Sequence, residues 1–159
     1  MRILKRLNTS LHRFYYRNFS KSNWKVVRRM NAEFVMRPSN YIDRRMWVEG
    51  GYEKQQIQYL LDQSKRAQFD AFLDIGANFG LYTCILGAHK AVPVCHSFEC
   101  DPRNVYHLYG HVRMNDLMGI VNVHQVAVGD EEKTVKFRTA SEESTGHSHA
   151  GESRLELRV

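Results

Sequence analysis

The stretch Ala71-Phe-Leu-Asp-Ile-Gly-Ala-Asn-Phe-Gly80 decides the fold. Its first part is a short apolar run, preceded by Gln68-Phe-Asp70 and followed by Gly76-Ala-Asn78. That is the pattern of a strand buried inside a parallel sheet. Residues 79–90 come next, with Leu81, Tyr82, Ile85 and Leu86 at the spacing of an inward helix face. An apolar strand therefore runs through a glycine turn straight into a helix. In open α/β sheets ligands bind outside the carboxyl ends of the strands, so the turn at 74–80 is the expected site.

Downstream the unit repeats. Residues 92–99, Val92-Pro-Val-Cys-His-Ser-Phe-Glu99, read as a second strand, with Pro93 tolerable only near its start. Asp101-Pro102 supplies a helix N-cap and a proline at the first helical position. Val105, Leu108, Tyr109 and Val112 then carry a helix to about Asn115, and Val121-Asn-Val-His-Gln-Val-Ala-Val128 makes a third strand. The order β-α-β-α-β implies three parallel strands joined by right-handed crossovers. Thr134-Val-Lys-Phe-Arg-Thr139 and Leu155-Glu-Leu-Arg-Val159 alternate like half-exposed strands, with a polar loop over 140–153 between them. Upstream, Gly50-Gly51 precedes a helix over 52–66 that turns Ile57, Leu60 and Leu61 inward.

Composition bounds the rest. The 159 residues are 43% apolar, enough for one domain with a real core. No run approaches eighteen apolar residues and the start lacks a secretory pattern, so a cytoplasmic location is expected. That expectation discounts the sequons at Asn8 and Asn18, and it makes Cys84, Cys95 and Cys100 free thiols. Charge is segregated: residues 1–32 hold nine Lys or Arg and no acid, whereas the remainder carries a formal charge of −3. Residues 1–45 thus read as a basic, aromatic arm, and residues 46–159 as the domain proper. Within the arm, a pair of helices packing Leu11, Phe14, Tyr15, Phe19 and Trp24 onto the domain is favoured. Contact with an anionic membrane, an RNA backbone or an acidic partner through residues 1–32 is the competing use of the same pattern. An organelle-targeting role fits the composition as well.

The turn carries the chemistry. Gly76 and Gly80 let a ligand approach the backbone, and Asn78 tolerates the left-handed conformation. Asp74 places a carboxylate where a cationic amine can be held. Glu99, at the tip of the next strand, can accept both hydroxyls of a ribose. A dinucleotide site wants G-x-G-x-x-G facing pyrophosphate, but Asn78 stands at the second glycine and Asp74 would repel phosphate. S-adenosyl-L-methionine has no phosphate and carries an ammonium and a sulfonium, so it suits the acidic turn better than NAD. A bland reading remains for both acids: Asp74 as a cap of the following helix, Glu99 as half of an ion pair. His107 and His111 lie four apart, yet without a third ligand they read as solvent-side helix residues and no metal is expected, and His147 and His149 read the same way in their loop.

Phe72-Leu-Asp-Ile-Gly-Ala-Asn-Phe-Gly-Leu-Tyr-Thr83, Ser97-Phe-Glu-Cys-Asp-Pro-Arg-Asn104, Asn115-Asp-Leu117 and Val126-Ala-Val-Gly-Asp130, with Gly51-Tyr-Glu53 upstream, resemble the FkbM family of methyltransferases. The resemblance covers roughly residues 46–159 and departs at Cys100, where the family usually has proline. It implies a Rossmann-like class I methyltransferase fold, here its first three parallel strands with their helices plus a following β-hairpin. It also implies that Asp74 and the Gly76 backbone hold the methionine part of the cofactor, with Asn78 and Gly80 shaping the turn. Glu99 would bind the ribose, Cys100 would lie beside the adenine, and Gln125 to Ala127 would border its far edge. The implied activity is O-methylation of a hydroxyl on a sugar, polyketide or similar metabolite, with no nucleic-acid partner. In that family the chain continues into further strands that help form the substrate pocket, so residues 1–159 alone are expected to be marginally stable and nearly inactive. The alternatives are a nicotinamide-binding oxidoreductase fragment and a non-catalytic module working through the basic arm.

Overall fold

A computed structural model describes residues 24–37, 40–48, 51–131, 134–138, 149–150 and 155–158. At its centre is a parallel sheet of three strands, β3 (Phe72–Ile75), β4 (Cys95–Phe98) and β5 (Val121–His124), in the order β3-β4-β5. Two helices connect them: α3 (Leu81–Ala88) and α4 (Pro102–Met114). The register sets Asp74 beside Ser97 and Ile75 beside Phe98, which in turn neighbours His124. The β-α-β-α-β order expected from the sequence is the one found. Pro93 shortens the second strand to 95–98, and the third stops at His124, four residues before Val128.

The sheet is covered on one face. Asp74, Cys95, Ser97 and Val121 are buried. Leu73 and Ile75 lie on the opposite face and are 58% and 61% exposed. Beside them His96, Phe98 and His124 form a ring stack, with centroids 5.3 Å apart for the two histidines and 4.7 Å for Phe98 and His124. Exposed aliphatic residues on one face of a parallel sheet mark a surface that isolated globular domains normally cover.

Helix α2 (Lys54–Arg66) packs on α3 and buries Ile57 and Leu61, as its periodicity requires. Helix α4 is capped as read: Asp101 Oδ1 accepts from Arg103 N–H at 3.0 Å, with Pro102 in the first position. Tyr109, read as inward, is 45% exposed. A second sheet follows, with β6 (Thr134–Arg138) paired antiparallel to both β8 (Leu155–Arg158) and the short β7 (His149–Ala150). The expected hairpin is thus present as β6 and β8.

The largest departure lies upstream. Residues 25–36 are not helical but form an antiparallel hairpin, β1 (Lys25–Arg29) and β2 (Ala32–Met36). Met30 and Asn31 make its two-residue turn with φ of 46° and 65°, the doubly left-handed geometry that matches strand twist. Val27, Ala32, Phe34 and Met36 join the main core, and so does Met46 from α1 (Tyr41–Val48). The core therefore draws on residues either side of position 45. Arg29 ties hairpin to helix by donating to the Met46 and Trp47 carbonyls at 2.9 Å each. Residues 1–23 lie outside the described residues, and with them both sequons and most of the basic arm.

The hairpin is latched onto α4 by side chains acting as a strand partner. Asn115 Oδ1 accepts from Glu33 N–H at 2.7 Å, while its Nδ2 donates to Glu33 O at 2.8 Å. His111 Nε2 accepts from Val35 N–H at 2.9 Å, which leaves Nδ1 to donate to Phe79 O at 2.8 Å. That fixes a neutral tautomer, and burial pushes the imidazole pKa down in the same direction. The solvent-side reading of His111 is therefore corrected: it is 2% exposed, because the hairpin forms a layer over α4. His107, one turn earlier, stacks on Trp24 with centroids 5.1 Å apart. Replacing His111 by alanine leaves one backbone donor and one acceptor unpaired beside a new cavity. The expected cost is about 2–4 kcal/mol in urea unfolding. A loss below about 1 kcal/mol would show that the latch contributes little.

Candidate nucleoside-binding turn

The turn is built where β3 runs out. Gly76 and Ala77 both donate their N–H groups to Phe98 O at 2.9 Å, which pins the turn to the end of β4. The chain then reverses through three left-handed residues, Gly76 (φ 76°), Asn78 (φ 51°) and Gly80 (φ 87°). A Cβ at Gly76 would meet no atom within 4 Å, so this backbone faces open space. At Gly80 a Cβ would come 2.4 Å from Leu108 Cδ1, so the residue serves the contact between α3 and α4. Asn78 takes the left-handed conformation that the sequence assigned to it.

Glu99 closes the turn from the next strand. Its Oε2 accepts from Asn78 N–H at 2.8 Å and its Oε1 from Asp101 N–H at 2.7 Å. The side chain is 7% exposed and makes no ion pair among the described residues. Each carboxylate oxygen uses one of its two acceptor positions, so one remains on each for a pair of hydroxyls.

Asp74 sits across the turn, also buried. Its Oδ2 accepts from Thr83 N–H at 3.1 Å and from Thr83 Oγ1 at 2.5 Å. The capping interaction with α3 is therefore present. It occupies only Oδ2; Oδ1 makes no hydrogen bond among the described residues and is not sealed from solvent. Burial pushes the carboxyl pKa up and the Thr83 bonds pull it back.

The remaining candidates lie around this pair. Cys100 follows Glu99 half-buried, its thiol pushed up to about 11, first by burial and then by the Glu99 charge. Gln125 is exposed just past the end of β5, and Ala127 is half-buried. Asp74, Gly76, Asn78, Gly80, Glu99 and Cys100 thus gather at the carboxyl edge of β3 and β4, with Gln125 and Ala127 beyond the adjacent strand. Cys84 is a core residue, as read.

A cavity of about 230 Å³, lined by Trp24, Asp43, Asn78, Asn104, His107 and His111 among others, borders the turn. Asn78 Oδ1 is sealed beside it with no hydrogen-bond partner among the described residues, and burial pushes the Asp43 carboxyl up to about 6. Sequence reasoning missed this space because the hairpin and α1 supply one wall. No group of three or more metal-ligating side chains occurs among the described residues, and no described helix is long and apolar enough to cross a membrane.

No family model matches the chain, and no curated protein matches it. Among solved structures it is similar to a SAM-dependent methyltransferase from Agrobacterium tumefaciens, with a TM-score of 0.52 and 8% identity. That likeness covers 67% of this chain and 33% of the other, so the chain spans about a third of that protein's length. Two others lie further off: a tRNA m1G37 methyltransferase from M. jannaschii (TM-score 0.43, 11% identity, covering 64% of this chain and 30% of that one) and Trm5 of Methanocaldococcus jannaschii in complex with adenosine (0.42, 12%, 65% and 31%). The parallel sheet and its helices are thus an α/β fold shared with a SAM-dependent methyltransferase.

Proposed function

We propose that this chain carries the S-adenosylmethionine-binding part of a methyltransferase, of the kind the FkbM-like motifs imply. The observation that carries the reading is the placement of two buried carboxylates, Asp74 and Glu99, on either side of an exposed glycine backbone at one sheet edge. Glu99 has acceptor positions left for ribose hydroxyls, Asp74 Oδ1 suits an ammonium, and the open backbone at Gly76 admits the ligand. Cys100, Gln125 and Ala127 would border the adenine. The bound cofactor would supply an electrophilic methyl group.

The acceptor is proposed to be a hydroxyl of a small molecule or glycan. The cavity beside the turn supports this: Asp43, which lines it and is ionised above about pH 6, can accept a proton there. In-line displacement requires the acceptor to be aligned and water kept out.

Calorimetric titration of S-adenosylhomocysteine into the purified chain tests the reading, with NAD as the control. Saturable binding of the first and none of the second is the expected result. Binding of NAD alone, or of neither ligand by a chain with a cooperative unfolding transition, would overturn it.

A further inference from the structure

Beneath the turn lies a chain of polar side chains with no access to water. Thr83, Ser97 and Cys95 are all 0% exposed. Thr83 Oγ1 is 2.5 Å from Asp74 Oδ2 and 2.7 Å from Ser97 Oγ, and Ser97 Oγ is 3.4 Å from Cys95 Sγ. Each hydroxyl has a single proton, so the direction of the chain follows from its first member. If Asp74 is a carboxylate, Thr83 must donate to it. Thr83 then accepts from Ser97, and the Cys95 thiol donates to Ser97 Oγ or, at 3.8 Å, to Thr83 Oγ1. A buried thiol whose pKa is pushed up by burial stays protonated and can fill that last place. The chain therefore has a complete set of donors for an ionised Asp74.

We propose that Thr83 and Ser97 are positioning residues, which hold Asp74 ionised with Oδ2 tied to α3 so that Oδ1 is presented to the cationic amine of the ligand. The ligand part of this rests on the nucleoside reading above; the state of Asp74 does not. Two strands and a helix meet at this point, with Asp74 from β3, Ser97 and Cys95 from β4, and Thr83 from α3. No cation takes part among the described residues. The titratable groups that feel the Asp74 charge are Tyr82 and Cys84 of α3 and Cys95 of β4, and burial, with that charge, keeps all three in their neutral forms. The Thr83 hydroxyl, with the Thr83 N–H second, is thus what opposes the burial of the charge.

The test uses Thr83→Val, which keeps the shape and removes the hydroxyl, with Thr83→Ser as rescue and Ser97→Ala as a milder break. Carbon-13 NMR of the Asp74 carboxyl across the pH range is read first. Thr83→Val should move the Asp74 midpoint to higher pH, Thr83→Ser should restore it, and Ser97→Ala should move it part of the way. Affinity for S-adenosylhomocysteine between pH 5 and 9 is read second. It should fall about tenfold in Thr83→Val, most at the acid end, and recover in Thr83→Ser. A merely structural role would lower the melting temperature and leave the Asp74 midpoint in place; that result in a folded Thr83→Val, or in Ser97→Ala should the valine variant not fold, overturns the proposal. If the parent chain binds no S-adenosylhomocysteine, the nucleoside reading fails, and the Asp74 titration alone decides the positioning role.

Discussion

Replacing Glu99 by alanine should weaken S-adenosylhomocysteine binding at least about a hundredfold, with the chain still folded. The ribose contact in the proposed site consists of two charge-assisted hydrogen bonds, each worth about 1.5–3 kcal/mol, so their joint loss reaches that scale. The variant also removes the acceptors of Asn78 N–H and Asp101 N–H, which hold the turn and the start of α4 in place. Water entering the vacated space can satisfy those amides in part, so the stability loss should be smaller than the binding loss. Glutamine is an informative second substitution. Both side-chain oxygens face a backbone N–H, and an amide would set its own NH₂ against one of them. Glu99→Gln should therefore lose most of the affinity despite its shape. Calorimetry with circular dichroism separates the two effects, and alanine binding within about threefold of the parent would remove Glu99 from the site.

The two outer glycines of the turn should fail in opposite ways. Gly80→Ala should destabilise the fold by about 2–4 kcal/mol, combining left-handed strain of about 1–2 kcal/mol with overpacking against Leu108. Leu108 is fully buried and cannot swing into solvent, so the neighbouring helices must shift. Gly76→Ala bears similar backbone strain without a clash, because a Cβ there meets nothing within 4 Å. Its methyl group would instead occupy the space where the ligand approaches, costing about tenfold or more in affinity. Urea unfolding and calorimetry on both variants give the cross-comparison. Equal stability losses, or unchanged binding by a folded Gly76→Ala, would contradict the division of labour drawn from the turn.

The sequence made some levels of this structure legible and hid others. Strand, turn and helix over 71–88 could be read because period and turn chemistry change together at Gly76 and Gly80. The acidic strand tip at Glu99 was legible for the same reason, since Asp101 and Pro102 mark where β4 gives way to α4. What could not be read was whatever depends on the outer layer. In Lys25-Val-Val-Arg-Arg29 only Val27 is buried, so alternation in β1 is drowned by exposed cations, and Trp24 and Val26 add to the impression of an amphipathic arm. The clean alternation sits in Ala32, Phe34 and Met36, next to the Met30-Asn31 turn whose asparagine is the one local hint of a hairpin. Without that hairpin nothing identifies His111 as interior, because its hydrogen-bond partners lie 76 and 32 residues away. Asp74 shows a third case. Its carboxylate was read either as a cap of the following helix or as a ligand group, and its two oxygens now stand in different surroundings.

The latch between β2 and α4 sets a timetable for the growing polypeptide. Glu33 is made 82 residues before Asn115, the side chain that satisfies both its backbone N–H and its carbonyl. At synthesis rates of roughly 5–20 residues per second, the hairpin waits on the order of 4–16 s with that edge unpaired. During the interval the hairpin is an open template for other strands; the lysine and arginines of β1 discourage pairing along its own outer edge, and Glu33 is the one charge on β2. The cations that obscure the hairpin in the sequence thus have a use before the rest of the domain exists.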